Sequence, residues 1–238
     1  MPIAENLAKT RECIFLAARR AGRDPSEITL MAVSKTFSTE FIRQAYAAGA
    51  RVFGESKVQE FSGKFPAIAD LAEAHWHMIG HLQSNKATKA AEIFSAIDSI
   101  DSLRVAEKLN SAAEQLKRKL EVLVEINVGG ETAKSGLSAD SHEFEDILTS
   151  APQLDHLTFR GLMTVPPFTD DPHQGRPYFR KLRELRDSIA SRSLPAVSME
   201  VLSMGMSHDF EVAIEEGSTC VRIGTAIFGK RPVKNLSS

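Results

Sequence analysis

The feature that most restricts what this chain can fold into is a repeat of short β-rich runs, each separated from the next by a stretch long enough for a helix. The runs fall at residues 28–33, 51–53, 76–79, 94–97, 122–128, 157–163, 199–203 and 219–223. Strands that alternate with helices pair in parallel, because a helical crossover carries the chain back to begin the next strand at the same end of the sheet. Eight such units close naturally into a barrel; the rival is an open doubly wound sheet, and the strand count favours closure. The expected fold is therefore α/β, a single (β/α)8 TIM-type barrel that takes residues 1–238 as one domain, an ordinary length for it.

An additional N-terminal helix precedes the first run. Leu7, Ile14, Ala18 and Ala21 recur at helical spacing, and Gly22 followed by Asp24-Pro25 ends the pattern. Little chain remains after the eighth run, so this opening helix is expected to cover the place where an eighth helix would pack. Between the runs, residues 103–120 alternate apolar and charged faces, Ser138 opens a stretch to Leu148, residues 178–189 are basic and amphipathic, and Ser207 opens a stretch closed by Gly217. The one long loop, residues 164–176 with Pro166, Pro167 and Gly175, follows the sixth strand, on the side where barrels build their sites.

Composition narrows the function classes. With 29 Lys+Arg against 31 Asp+Glu, the formal net charge of -2 supplies no field to gather a polyanion, which argues against a nucleic-acid partner. Cys13 and Cys220 lie far apart with no metal-type spacing, as in a protein of the reducing cytoplasm, and the charged N-terminus reads neither as a signal peptide nor as a membrane span. The sequon at Asn235 carries no meaning in that compartment.

Three strand ends carry chemistry. Lys35 ends the first apolar strand, so its amine is directed to the C-terminal mouth, where partial desolvation makes an amine nucleophilic toward an aldehyde; the plainer alternative is a lysine snorkelling to solvent. The eighth strand runs through Arg222 into the Gly224-Thr225 turn, whose backbone N–H groups and hydroxyl suit a phosphate, and the seventh ends similarly in Ser203-Met204-Gly205-Met206-Ser207. The glycines could equally serve tight turns alone, and Arg222 could pair with a carboxylate inside the barrel. His75, His77 and His81 invite a metal reading, but their spacing and the lack of an adjacent carboxylate or cysteine favour structural hydrogen bonds, and no metal is expected. Residues 129–136 are not a P-loop, since Ala133 stands where that motif needs glycine, and Lys134 reads as a solvated loop lysine or a second amine near the mouth.

Five ordered motifs resemble one family: Ala32-Val33-Ser34-Lys35, Phe53-Gly54-Glu55-Ser56-Lys57, Trp76-His77-Met78-Ile79-Gly80-His81, Leu202-Ser203-Met204-Gly205-Met206-Ser207 and Val221-Arg222-Ile223-Gly224-Thr225. Together they look like the pyridoxal phosphate homeostasis proteins, single-domain relatives of the alanine racemase barrel. The resemblance implies that pyridoxal 5′-phosphate (PLP) is held as a Schiff base on Lys35, with Ser203, Gly205, Gly224 and Thr225 around the phosphate and Arg222 beside the pyridine nitrogen. An arginine there keeps that nitrogen unprotonated and the ring a weaker electron sink. One departure stands out: Ser56 occupies the place of the family asparagine.

The implied function is intracellular PLP homeostasis, with the cofactor held and supplied to PLP-dependent apoenzymes by a monomer. The alternative is a PLP-dependent amino-acid racemase or decarboxylase of the same barrel type. Such an enzyme needs a second acid–base group, which in the racemases is a tyrosine from a separate domain, whereas Tyr46 and Tyr178 of this chain fall in helical stretches. A barrel acting on a sugar phosphate is a third reading; it would leave Lys35 and Arg222 without a role.

Overall fold

In the computed structural model, which describes residues 2–131 and 135–230, eight parallel strands close into a barrel. They are β1 (Thr29–Val33), β2 (Val52–Glu55), β3 (His75–Met78), β4 (Ala96–Ile100), β5 (Leu120–Glu125), β6 (Leu157–Met163), β7 (Val197–Met206) and β8 (Cys220–Ile223), each beside its sequence neighbours, with β8 closing on β1. The closing register sets Ala32 opposite Ile223 and Met31 opposite Arg222, so the chain's first and last strand ends share one side of the mouth. Helices α1 (Ile3–Arg20), α2 (Thr39–Ala47), α3 (Val58–Lys64), α4 (Ala87–Ile93), α5 (Leu103–Gln115), α6 (His142–Ser150), α7 (Arg176–Ser191), α8 (Phe210–Glu215) and α9 (Thr225–Phe228) surround it.

Two departures from the sequence reading have local causes. The helix after β7 opens at Phe210 rather than Ser207, because the Asp209 carboxylate accepts from the Met206 backbone N–H at 2.6 Å and holds the intervening residues as a turn. Likewise α6 opens beyond Ser141, whose hydroxyl accepts from Phe144 N at 3.2 Å, while Ser138 bonds instead to Asp140. Lys134 lies outside the described residues.

Strand alternation divides the interior into two layers. Outward residues such as Leu120, Val122, Val124, Leu202, Val221 and Ile223 join one apolar core with the helices. Its densest part is aromatic: Phe61 of α3 lies 4.7 Å from Phe94 and 5.1 Å from Trp76 between ring centroids, and Trp76 stacks on Phe53 at 5.0 Å. The inward layer is polar, with Asp98 lining the far end and Glu125, Ser203 and Arg222 nearer the mouth, all of them buried. Where β6 meets β7 the backbones come so close that a Cβ on Gly161 would stand 1.9 Å from the Val201 carbonyl oxygen.

The opening helix takes the expected place. Ile3, Leu7, Ile14, Ala17 and Ala18 form its buried stripe, and it packs against α2, α8 and α9. Polar bonds fix the seam: Asn6 Nδ2 donates to Ile227 O at 2.9 Å, Arg11 Nη2 to Gly49 O at 2.7 Å, and Arg23 Nη1, just past the helix, to Ser218 O at 2.7 Å. Removal of residues 1–20 would expose the β8 side of the barrel and leave the Ile227 carbonyl without this donor. We expect the truncated chain to lose its cooperative thermal unfolding transition by circular dichroism; a truncation that keeps it would show that α1 is dispensable.

Candidate functional site

The mouth is organised by Arg222. It projects inward from β8, is buried, and donates from Nη1 to Ser203 Oγ at 2.7 Å and from Nη2 to the Thr164 carbonyl at 2.6 Å, so that it ties β8 to β7 and to the end of β6. Burial works against the guanidinium's charge and lowers its pKa, opposed by the nearby Asp98, Glu125 and Asp209; it remains a cation at any physiological pH. Beneath it the Cys220 thiol is pushed up by burial to about 12, which leaves it an inert packing group.

Gly205 is demanded by the fold. Its φ is +92°, and a Cβ there would stand 2.5 Å from the Ala213 methyl and 3.0 Å from the Phe210 Cα, so a side chain would push α8 away from the sheet. Gly224 is different: its φ of −109° suits any residue, and an added Cβ would meet Val33 at ordinary contact distances of 3.5 Å and beyond. Among the described residues the backbone N–H groups of Gly224 and Ala226 reach the Ser207 hydroxyl, at 3.3 and 3.4 Å. These are long bonds, and they leave donors suited to a stronger acceptor such as a phosphate oxygen. Thr225 is exposed at the same turn.

Lys35 lies two residues beyond β1, half-buried, beside that turn. A buried network grips the backbone around it. Ser34 Oγ donates to Glu55 Oε1 at 2.8 Å, Lys64 Nζ reaches Glu55 at 3.1 Å and Glu60 at 2.8 Å, and Glu60 in turn accepts from Thr36 N at 2.7 Å. Glu55 is 0% exposed; burial pushes its carboxyl above the usual range, while Lys64 and Ser34 hold it back. Ser56 lies against Gly80, where any Cβ would stand 2.4 Å from the Ser56 carbonyl oxygen.

The histidines divide between two carboxylates brought by the neighbouring strand. His77 Nδ1 lies 3.0 Å from Asp98, and His81 Nδ1 lies 2.6 Å from Asp101 just beyond β4. Burial disfavours charge on His77, but Asp98 outweighs it and raises the imidazole above its ordinary range. Among the described residues, no group of three or more His, Cys, Asp or Glu converges as a metal site. A separate cavity of about 710 Å3 opens at the opposite end of the barrel, lined by Glu27, Asp98, Glu121 and Glu200 together with His75, His77 and Arg160, the last already paired with Glu121 and Glu200; its lining has no lysine to meet an aldehyde.

Comparison with known proteins turns this geometry into a relationship. The family model for the alanine racemase N-terminal domain matches residues 8–232. The pyridoxal phosphate homeostasis protein of Aquifex aeolicus is 43% identical over 97% of this chain and 99% of its own length, and that of Escherichia coli K12 is 42% identical over 96% and 97%. The chain belongs to the pyridoxal phosphate homeostasis protein family. PipY of Synechococcus elongatus PCC7942, a solved structure at 36% identity, superposes with a TM-score of 0.82 over 95% of this chain and 100% of its own, and it has also been solved with PLP bound. Alanine racemase from Streptomyces coelicolor, at 20% identity and a TM-score of 0.70, shares the barrel fold.

Within this family frame, the residues singled out from sequence fall at one mouth: Lys35 after β1, Ser203 and Gly205 on β7, Arg222 on β8, and Gly224 and Thr225 just beyond. The sequence reading missed four contributors. Ser207 faces the Gly224 turn instead of capping a helix, Glu55 and Lys64 brace the Lys35 segment, and Glu125 sits buried at the end of β5. Ser207 and Glu55 stood within the family-like motifs and Glu125 was a lone charge inside the apolar run 122–128, whereas Lys64 had no signal. Replacing Lys64 with Met should strand the Glu55 carboxylate without its cation and cost about 3 kcal/mol by urea unfolding, the range for breaking a buried pair. Adding Glu55→Gln should restore part of that loss; additive losses would mean the two side chains act independently.

Proposed function

We propose that this protein binds PLP in the barrel mouth, holds it as a Schiff base on Lys35, and serves intracellular PLP homeostasis as a cytoplasmic monomer that supplies the cofactor to PLP-dependent apoenzymes. The observation that carries the reading is the closing of β8 on β1, which sets the Lys35 segment, the buried Arg222 and the Gly224-Thr225 turn side by side. These three offer an amine, a permanent cation and a set of backbone donors, which match in turn an aldehyde, a pyridine nitrogen and a phosphate. The relative with PLP bound supports the same choice of ligand.

In this reading, Gly224, Thr225, Gly205 and Ser203 surround the phosphate. The small side chains let backbone N–H groups approach it, and Thr225 adds a hydroxyl donor. Arg222 stands by the pyridine nitrogen, its orientation fixed by Ser203 and Thr164. Bound PLP supplies an electrophilic carbon and an electron-withdrawing ring, and an arginine in place of an acid weakens that ring as an electron sink. Tyr46 in α2 and Tyr178 in α7 belong to the outer helices, which supports a holder of cofactor over an amino-acid racemase or decarboxylase.

The decisive test is the absorption spectrum of the protein with PLP, before and after borohydride, with peptide mass mapping of the reduced adduct. We expect a band lost on reduction and a pyridoxyl group on Lys35; Lys35→Ala should abolish the band while sparing the fold, and a full band in that variant would move the linkage to another lysine. Thr225→Ala should weaken PLP affinity about tenfold, the scale of one hydrogen bond to a charged group. Unchanged affinity would place the phosphate elsewhere. A protein that takes up no PLP would remove the reading altogether.

A further inference from the structure

Among the described residues, Glu125 is a strongly buried carboxyl of the mouth that the reading above leaves without a task. It is the last residue of β5, and it shares the inward face of Glu121 and Leu123, which line the far end of the barrel, while Leu120, Val122 and Val124 face the helices. The side chain is 6% exposed. Among the described residues its buried Oε2 has no hydrogen-bond partner, an arrangement that costs free energy unless something else comes to bond it.

The surrounding chain holds the backbone at the end of β5 in place. Leu137 N donates to the Glu125 carbonyl at 2.8 Å, and Gly136 passes so close that a Cβ there would lie 3.2 Å from Glu125 Cγ. On the other side, Thr164 Oγ1 donates to the Ile126 carbonyl at 2.6 Å and locks the strand end to β6. The charged groups that act on Glu125 are Asp101 beyond β4, Arg222 on β8 and His81 beyond β3. Both Arg222 and His81 are already engaged, Arg222 with Ser203 and Thr164, and His81 with Asp101. Burial, with Asp101 adding to it, pushes Glu125 up to about 7.

We propose that Glu125 belongs to the cofactor site and works there as a neutral carboxylic acid, taking up a proton as the anionic cofactor enters and donating that O–H to an anionic oxygen of the bound molecule. This rests on PLP occupying the mouth. The physical argument is one of charge. A phosphate monoester brings further negative charge toward a carboxylate that Asp101 already repels, and binding a proton removes that repulsion. Protonation also converts an acceptor-only group into a donor, which is what a buried oxygen facing an anion requires. The sign follows from linkage: an incoming anion raises the affinity of Glu125 for its proton, so binding draws protons from solution, most strongly just above neutrality, where the free side chain is mainly ionised.

The experiment is calorimetric titration of the full-length protein with PLP in two buffers of different ionisation enthalpy, which gives the protons taken up per molecule bound. At pH 7.5 the contribution of Glu125 should be about three-quarters of a proton, and near pH 5.5 it should vanish. Glu125→Gln should remove that contribution while still binding PLP; proton exchange by the cofactor itself is common to both proteins and cancels in the difference. Equal uptake in the two proteins, or a release of protons that Glu125→Gln abolishes, would overturn the proposal, the second because it marks a cationic ligand at this carboxyl. If Glu125→Gln does not fold, infrared difference spectra of the wild-type protein carry the test: a carboxylic C=O band must grow in as PLP binds at pH 7.5, and its absence overturns the idea. Failure of PLP to bind either protein would instead defeat the cofactor reading on which this one stands.

Discussion

The mouth depends on a cation placed where water cannot reach it. Arg222 is buried inside the barrel, and a guanidinium there is tolerable only if its donors are satisfied and anions stand near. Ser203 on β7 and the Thr164 carbonyl after β6 satisfy two of them, and Asp98, Asp209 and Glu125 supply the surrounding negative charge. The same two bonds tie β7 and the start of the long loop after β6 to β8. A lysine could supply the charge but not the fixed fork that bridges two strands.

Much of the architecture was legible because each barrel unit repeats the same physical problem. A parallel strand buried on both faces reads as a short apolar run, and the helix that covers it reads as a 3.6-residue stripe. The opening helix was legible for the same reason, from Leu7, Ile14 and Ala18, and its position followed from the scarcity of chain after the last strand. Element ends were harder. The start of α8 moved from Ser207 to Phe210 because a side chain three residues on, Asp209, captured the Met206 N–H, and such a competition between two polar groups leaves little trace in apolar spacing.

The site was legible where one motif held both a chemical group and its reason for being there, as in Arg222 with Gly224 and Thr225. It was obscure where function depends on partners from different strands. His77 and His81 lacked a neighbouring carboxylate in sequence, yet β4 places Asp98 and Asp101 beside them, since adjacent parallel strands bring together residues about twenty positions apart. Glu55 and Lys64 likewise join across a strand and the following helix, and Glu125, a lone charge in the run 122–128, gains meaning only from its burial.

The seam made by α1 has a consequence for how the molecule is made. Asn6 and Ile227 are hydrogen-bonded across a separation of 221 residues, so α1, although α2 follows it closely, cannot meet α8 and α9 until about two hundred further residues have left the ribosome. Through synthesis the part of its apolar stripe that faces α8 and α9 must wait uncovered, a ready target for chaperones or for a neighbouring nascent chain. Closure of the ring is then the last and most non-local event, slow by the entropy of joining distant ends, and the mouth comes into being only with it, because β1 and β8 meet nowhere else.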